Sequence, residues 1–332
     1  MFGSTTKKEI RENVFFKHHN VETNDDASEL LNGLLKKQKT INPKYFYDTR
    51  GSELFEAITQ LPEYYPARTE KHILSHNAPE IAQYCGKDAV LIEPGSGSSE
   101  KIRLLLNALT PKSYIPMDIA AEFLQRSACQ LGEEYPWLNI HAICSDFSKS
   151  AQIPTDIPLG KRVIFYPGST LGNMTPESAL VYLKQLRQWV SSTKPGEQGG
   201  ILIGVDLHKS STLLSAAYND AQGITAAFNL NILNNVNQLA HANFDTEKFD
   251  HLAFYNEAQQ RIEMHLISNI DHIVRVNNHS LTFAKGESIH TENSYKYTID
   301  SFNALVNKAY LTVEKTWLDK ESLFSVHYLS PI

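Results

Sequence analysis

The sequence predicts an α/β protein built on a Rossmann-like sheet of seven strands, joined in the same chain to a second, α+β domain. Three observations carry this. The segment Ala89 to Leu106, AVLIEPGSGSSEKIRLLL, packs an apolar strand, a glycine turn and a helix into eighteen residues. From there to Leu207, short apolar runs alternate with amphipathic stretches, the rhythm of a doubly wound sheet. The last twenty or so residues read as two strands joined by a tight turn.

Val90, Leu91 and Ile92 are continuously apolar, as a parallel strand covered on both faces must be. Gly95 and Gly97 supply the turn, and Ser99 to Leu106 the following helix. Ser113 to Met117 is a short strand closed by Asp118, with the helix Ala120 to Leu131 after it. Asn139 to Cys144 is a third strand, closed by Asp146 and Phe147. Arg162 to Tyr166 is broken by Pro167 and Gly168. The helix Glu177 to Val190 then starts from Thr175 as N-cap and Pro176 in its first turn. Gly200 to Leu207 is the fifth strand. Ser301 to Ala309 is helical, and Leu311 to Leu318 pairs with Leu323 to Leu329 about a turn at Asp319-Lys320.

Two regions fall outside this rhythm: the first seventy residues, and Thr212 to Tyr295, which is too long for an ordinary connection. Both are assigned to a substrate-binding domain. The expected division is therefore 71–211 with 296–332 for the sheet domain, and 1–70 with 212–295 for the second. The insertion should begin helically, with the asparagine-rich stretch Phe228 to Asn237 forming a polar lining. It then turns strand-like at Phe249 to Tyr255, Arg261 to Ser268 and His272 to Val276.

Composition narrows the partners. The 332 residues are 42% apolar, enough for a substantial core. A net charge of −6, from 31 basic and 37 acidic residues, offers no basic field for nucleic acid or an anionic membrane, so small molecules are expected. No apolar run reaches the roughly 20 residues of a membrane helix, and the N-terminus lacks a secretory core, so a cytoplasmic monomer is the expectation. Cys85, Cys129 and Cys144 have no metal-ligand spacing and read as reduced thiols.

In an open parallel sheet the ligand lies beyond the carboxyl ends of the strands, which here carry the Gly95-Gly97 turn, Asp118, Asp146 and Gly168. A dinucleotide fingerprint wants a third glycine where this chain has Glu100, so the turn suits S-adenosylmethionine better than a nicotinamide or flavin cofactor. Asp118, 21 residues after Gly97, is placed to accept from both ribose hydroxyls or to cap its own helix. Asp146-Phe147 either flank an adenine or form a solvated turn. The tyrosines of Tyr45 to Ser52 and Leu61 to Pro66 either stack around a ligand or pack in the core. Asn173 reaches into the crevice mouth or serves its turn. His72 and His76 have ligand spacing but lack the glutamate of a zinc helix and a third ligand, so they read as ordinary histidines.

The runs Tyr45 to Ser52, Leu61 to Glu70, Glu93 to Lys101, Gly168 to Pro176, Gly223 to Asn231, Arg261 to Met264 and Thr291 to Ser294 occur in order. Together they resemble the histidine-specific N-alpha-methyltransferases of ergothioneine biosynthesis, from about residue 42 to the end. The resemblance implies a Rossmann-like S-adenosylmethionine-dependent methyltransferase fold with an added substrate domain. It also implies transfer of three methyl groups to the alpha-amine of L-histidine, giving hercynine. Carried onto this chain, it assigns Tyr47, Gly95, Lys101, Asp118, Asp146 and Phe147 to the cofactor. It places Tyr64, Asn173 and Tyr218 around the alpha-amino and carboxylate groups, and Glu292, Ser294 and Met264 around the imidazole. Tyr47 or water would relay a proton and Asn173 orient the amine, with no metal required. The alternatives are methylation of another amino acid or of an imidazole nitrogen, or a module that binds histidine and cofactor without turnover.

Overall fold

The computed structural model of the chain describes residues 7–18, 26–146, 157–191 and 198–332. Phe147 lies outside them. The chain divides into two compact units, one of Met1–Val21, Pro66–His208 and Lys296–Ile332, the other of Glu22–Tyr65 and Lys209–Tyr295.

The first unit is organised by a nine-stranded sheet. Its order is Lys7–Arg11, Val14–His18, Asn139–Cys144, Ser113–Asp118, Val90–Pro94, Arg162–Tyr166, Gly200–Asp206, Phe324–Pro331 and Leu311–Leu318. The six strands from Val14–His18 to Gly200–Asp206 run parallel, and antiparallel pairs close both edges. The seven expected strands are all there. The eighth and ninth come from the N-terminal hairpin, which had been expected in the second domain. Val14 and Phe16 are buried there in the same apolar cluster as Leu91, Leu106, Tyr114, Ile140 and Leu202, and that burial fixes the hairpin to this sheet.

Val90–Pro94 is the middle strand, with Ser113–Asp118 on one side and Arg162–Tyr166 on the other. Strand order reverses at this point, which opens a crevice at the carboxyl ends. Helix Glu100–Leu109 follows, burying Ile102, Leu105, Leu106 and Leu109 along one stripe. Helix Pro176–Ser191 starts as expected, with the Thr175 hydroxyl accepting from the Ser178 N–H at 3.3 Å.

The second unit holds a four-stranded sheet in the order Lys39–Thr40, Ser288–Tyr295, Arg261–Ser268, Phe249–Asn256, and a separate hairpin of His272–Val276 with His279–Phe283. Helix Ile224–Leu239 packs on this sheet and on helix Thr49–Thr59. Its asparagines do not form the expected lining. Asn231 donates to Asp48 Oδ1 at 2.9 Å, Asn235 to the Tyr45 carbonyl at 2.8 Å and Asn237 to the Phe244 carbonyl at 2.8 Å. These amides are buried or half-buried brackets that hold loop backbone to the helix.

Candidate functional site

In the first unit the predicted cofactor residues sit around the end of the middle strand. The turn after Pro94 is held to the next strand by the N–H groups of Gly95 and Ser96, both bonded to the Met117 carbonyl at 2.7 and 3.1 Å. Gly95 and Gly97 have φ of +72° and +52°, and a Cβ on Gly97 would meet no atom within 4 Å. Backbone conformation rather than crowding therefore selects glycine at position 97.

Asp118 takes the helix-starting role that the sequence allowed, and it also holds the glycine turn. Oδ2 accepts from the Gly97 N–H at 3.0 Å and Oδ1 from the Ala120 N–H at 3.0 Å, so one buried carboxylate fixes the glycine turn and starts the following helix. Burial pushes its carboxyl up, against the lowering effect of these N–H bonds. The Asp118 carbonyl accepts from the Ser145 N–H at 3.0 Å, which ties the buried Asp146 to the same edge of the turn.

Lys101, in the first turn of its helix, pairs with Glu70 at 2.6 Å. Glu70 went unassigned in the sequence because its partners lie 31 and 98 residues away. Its side chain is 1% exposed, and its oxygens also accept from the Gly168 N–H at 3.0 Å, so it joins Lys101 to the loop after Arg162–Tyr166. Glu93, also unassigned, is fully buried and accepts a short hydrogen bond from the Tyr114 hydroxyl. Burial raises its carboxyl to about 8 although that bond lowers it. Asn173 ends the 3-10 turn Thr170–Asn173 and is half-buried.

In the second unit the tyrosines separate into two kinds. Tyr45 and Tyr65 are core residues: Tyr45 donates to Asp26 at 2.9 Å, and Lys209 lies 4.3 Å over the Tyr65 ring. Tyr47 and Tyr64 are half-buried and belong to an aromatic cluster with Phe55, Phe228 and Tyr218. Phe55 meets both tyrosines edge-on, at 5.9 and 6.4 Å, and its place in the cluster was not visible in the sequence.

The predicted imidazole contacts share one face of the four-stranded sheet. Met264 stands opposite Glu292 and Ile262 opposite Ser294, and directly opposed residues of antiparallel strands project to the same side. Met264 is buried, Glu292 half-buried, and the Tyr218 hydroxyl bonds Ser294 Oγ at 2.8 Å. Glu263, His265 and His290 form a second cluster, with ligand-type atoms within 4.8 Å of one another. Its geometry does not suit a shared ion. The two imidazoles stack at 4.5 Å and 10°, so their lone pairs run side by side, and Arg261 already sits on the carboxylate at 2.7 Å. Burial would raise the Glu263 carboxyl, but bonds from His265, Arg261 and Asn256 outweigh it and bring it to about 2.

His72 and His76 are exposed on helix Tyr65–Cys85 with rings 5.7 Å apart, and burial pushes the Cys85 and Cys144 thiols up to about 12 and 11.

A glycine turn at the reversal point of a parallel sheet, with carboxylates closing the neighbouring strands, defines a Rossmann-like nucleotide-cofactor domain. The profile of the family described as histidine-specific methyltransferase, SAM-dependent, matches residues 26–331, and the chain belongs to that family. It is 40% identical to a histidine N-alpha-methyltransferase of Mycolicibacterium smegmatis, over 91% of this chain and 95% of that one. It is also 40% identical to one of Mycobacterium tuberculosis, over 90% and 92%. Among solved structures, the CcbJ methyltransferase from Streptomyces caelestis aligns with a TM-score of 0.43 at 13% identity, covering 77% of this chain and 90% of that one. Among the described residues no helix is long and apolar enough to cross a membrane.

Proposed function

We propose that this chain transfers methyl groups from S-adenosylmethionine to the alpha-amine of L-histidine, three in succession, to give hercynine. The observation that carries the substrate is the common face of Met264, Glu292 and Ser294, with Tyr218 bonded to Ser294. A carboxylate and a hydroxyl beside a thioether suit an imidazole, since the carboxylate accepts from one ring nitrogen and the thioether packs on the ring plane. Two relatives that match nearly the whole chain carry the name of this activity.

The first unit suits the cofactor. Ser96 Oγ and Ser145 Oγ are buried with no hydrogen-bond partner among the described residues, and they flank Gly95-Gly97 and Asp146 in sequence. Buried hydroxyls of that kind ask for a polar ligand. Gly95, Asp118 and Asp146 would hold the ribose and adenine, and Lys101 the methionine carboxylate. S-adenosylmethionine, when bound, supplies the electrophilic methyl group. The chain's own residues then position the amine and remove its proton before transfer. Asn173 has no basic lone pair and so orients, while Tyr47 relays the proton.

Mass spectrometry of the protein with S-adenosylmethionine and L-histidine tests this. A trimethylated product with every methyl on the alpha-nitrogen is expected, and ring methylation, or cofactor binding without product, overturns the assignment. Tyr47→Phe should slow methylation of histidine more than of dimethylated histidine, because the later substrate makes a smaller demand on the relay. Equal losses remove Tyr47 from proton transfer. Glu292→Ala should raise the KM for L-histidine about 10- to 100-fold, the cost of one charge-assisted hydrogen bond.

A further inference from the structure

Strand Ser288–Tyr295 does not run regularly against Arg261–Ser268. Met264 faces Glu292, but the next residue, His265, faces His290, so Thr291 is an extra residue, a β-bulge. Adjacent residues 264 and 265 project to opposite sides, and the bulge therefore sends Glu292 and His290 to opposite sides too. A regular ladder would set His290, Glu292 and Ser294 on one face. The protein's own imidazole would then stand beside the carboxylate meant for the substrate's.

The bulge is gripped by Asn229, a fully buried residue of helix Ile224–Leu239. The Thr291 hydroxyl approaches Asn229 Oδ1 at 2.7 Å and the Met264 carbonyl at 3.0 Å. Asn229 Nδ2 donates to the His265 carbonyl at 3.0 Å and lies 2.9 Å from His251 Nδ1. A carbonyl can only accept, which fixes the orientation of the amide and makes His251 Nδ1 the acceptor of its second N–H. The neutral ring then carries its proton on Nε2, which donates to the Tyr218 carbonyl at 3.0 Å. Tyr218 returns to the strand through Ser294 Oγ. The circuit leaves Ser288–Tyr295 at residue 291 and rejoins it three residues later.

We propose that Asn229 and His251 are positioning residues for the amino-acid substrate. They lock the Thr291 bulge and the Tyr218 backbone so that Glu292 and Ser294 meet one imidazole while His290 is kept away. The inference rests on the reading of Glu292 and Ser294 as imidazole contacts. Calorimetric titration of the full chain with L-histidine in the presence of S-adenosylhomocysteine, and with S-adenosylhomocysteine alone, tests it. Thr291→Val, which removes one hydroxyl at nearly constant volume, and His251→Ala should each weaken histidine binding about tenfold or more, leaving S-adenosylhomocysteine affinity within about twofold. His251→Gln, which keeps one acceptor and one donor, should recover most of that loss. Histidine binding within about twofold of the original in Thr291→Val and His251→Ala, or equal loss of both ligands, overturns the proposal. Glu292→Gln separates the two readings. If it binds histidine as the original does, the pocket assignment fails; if it loses histidine while Thr291→Val keeps it, only the positioning role fails.

Discussion

Glu93 shows what burial does to a single carboxyl group. Its proton is held to about pH 8 in the folded chain and is lost near the ordinary carboxylate value of about 4.3 when the chain unfolds. Between those values the folded state binds more protons, so this group's contribution to stability is complete at the acid end and disappears as pH rises through about 8. Glu93→Gln keeps the shape without the titration. The urea midpoint of the original chain should therefore fall relative to that of Glu93→Gln between pH 5 and 8, then run parallel above about 8. A constant difference across the range would show that Glu93 is ionised when folded. Residues of this kind divide sharply in legibility. Asp118 was visible because it closes a strand, a local fact. Glu70 was not, because Lys101 and the Gly168 N–H reach it only after folding.

Elements were legible where one local signal dominated. The strand Val90–Pro94 is wholly buried and opens on the apolar run Val90, Leu91 and Ile92, and Leu91→Ala should cost about 2–5 kcal/mol in chemical denaturation, as large-to-small changes in packed cores do. Helix Ile299–Lys308 begins with a capping box of Thr298 and Ser301. Thr298→Ala should cost about 1 kcal/mol by the same measurement, with the substrate KM values unmoved. Ser288–Tyr295 was hidden for a physical reason. Its sequence, SIHTENSY, has few apolar residues, and the bulge at Thr291 breaks the two-residue period that marks a strand. The asparagines of Ile224–Leu239 misled because an amide that lines a pocket and an amide that grips a loop are the same residue in sequence.

At the scale of the whole molecule, the N-terminal hairpin is the main departure from the expected fold. Residues 14–18 pair with Asn139–Cys144, more than 120 positions along the chain, and no short-range pattern announces such a partner. Removing residues 1–18 would delete the buried Val14 and Phe16 and uncover the strand Asn139–Cys144 that they pair with. A loss on the order of 3–6 kcal/mol is expected from two buried side chains of about 1.5–3 kcal/mol each. Light scattering should also rise, since Asn139–Cys144 becomes an unpaired edge. An unchanged denaturation midpoint would show that the hairpin adds nothing to the sheet. That the central strands run parallel was readable from the alternation of apolar runs with amphipathic stretches.

Glu70 also constrains how the chain can change. A Cβ at Gly204 would lie 2.0 Å from Glu70 Oε1, so even alanine there collides with the carboxylate that holds Lys101. The reverse change, a shorter residue at position 70, meets no such obstacle. Divergence at these two sites therefore has a direction: position 70 must shrink before position 204 can grow, and a lineage that keeps the glutamate also keeps the glycine.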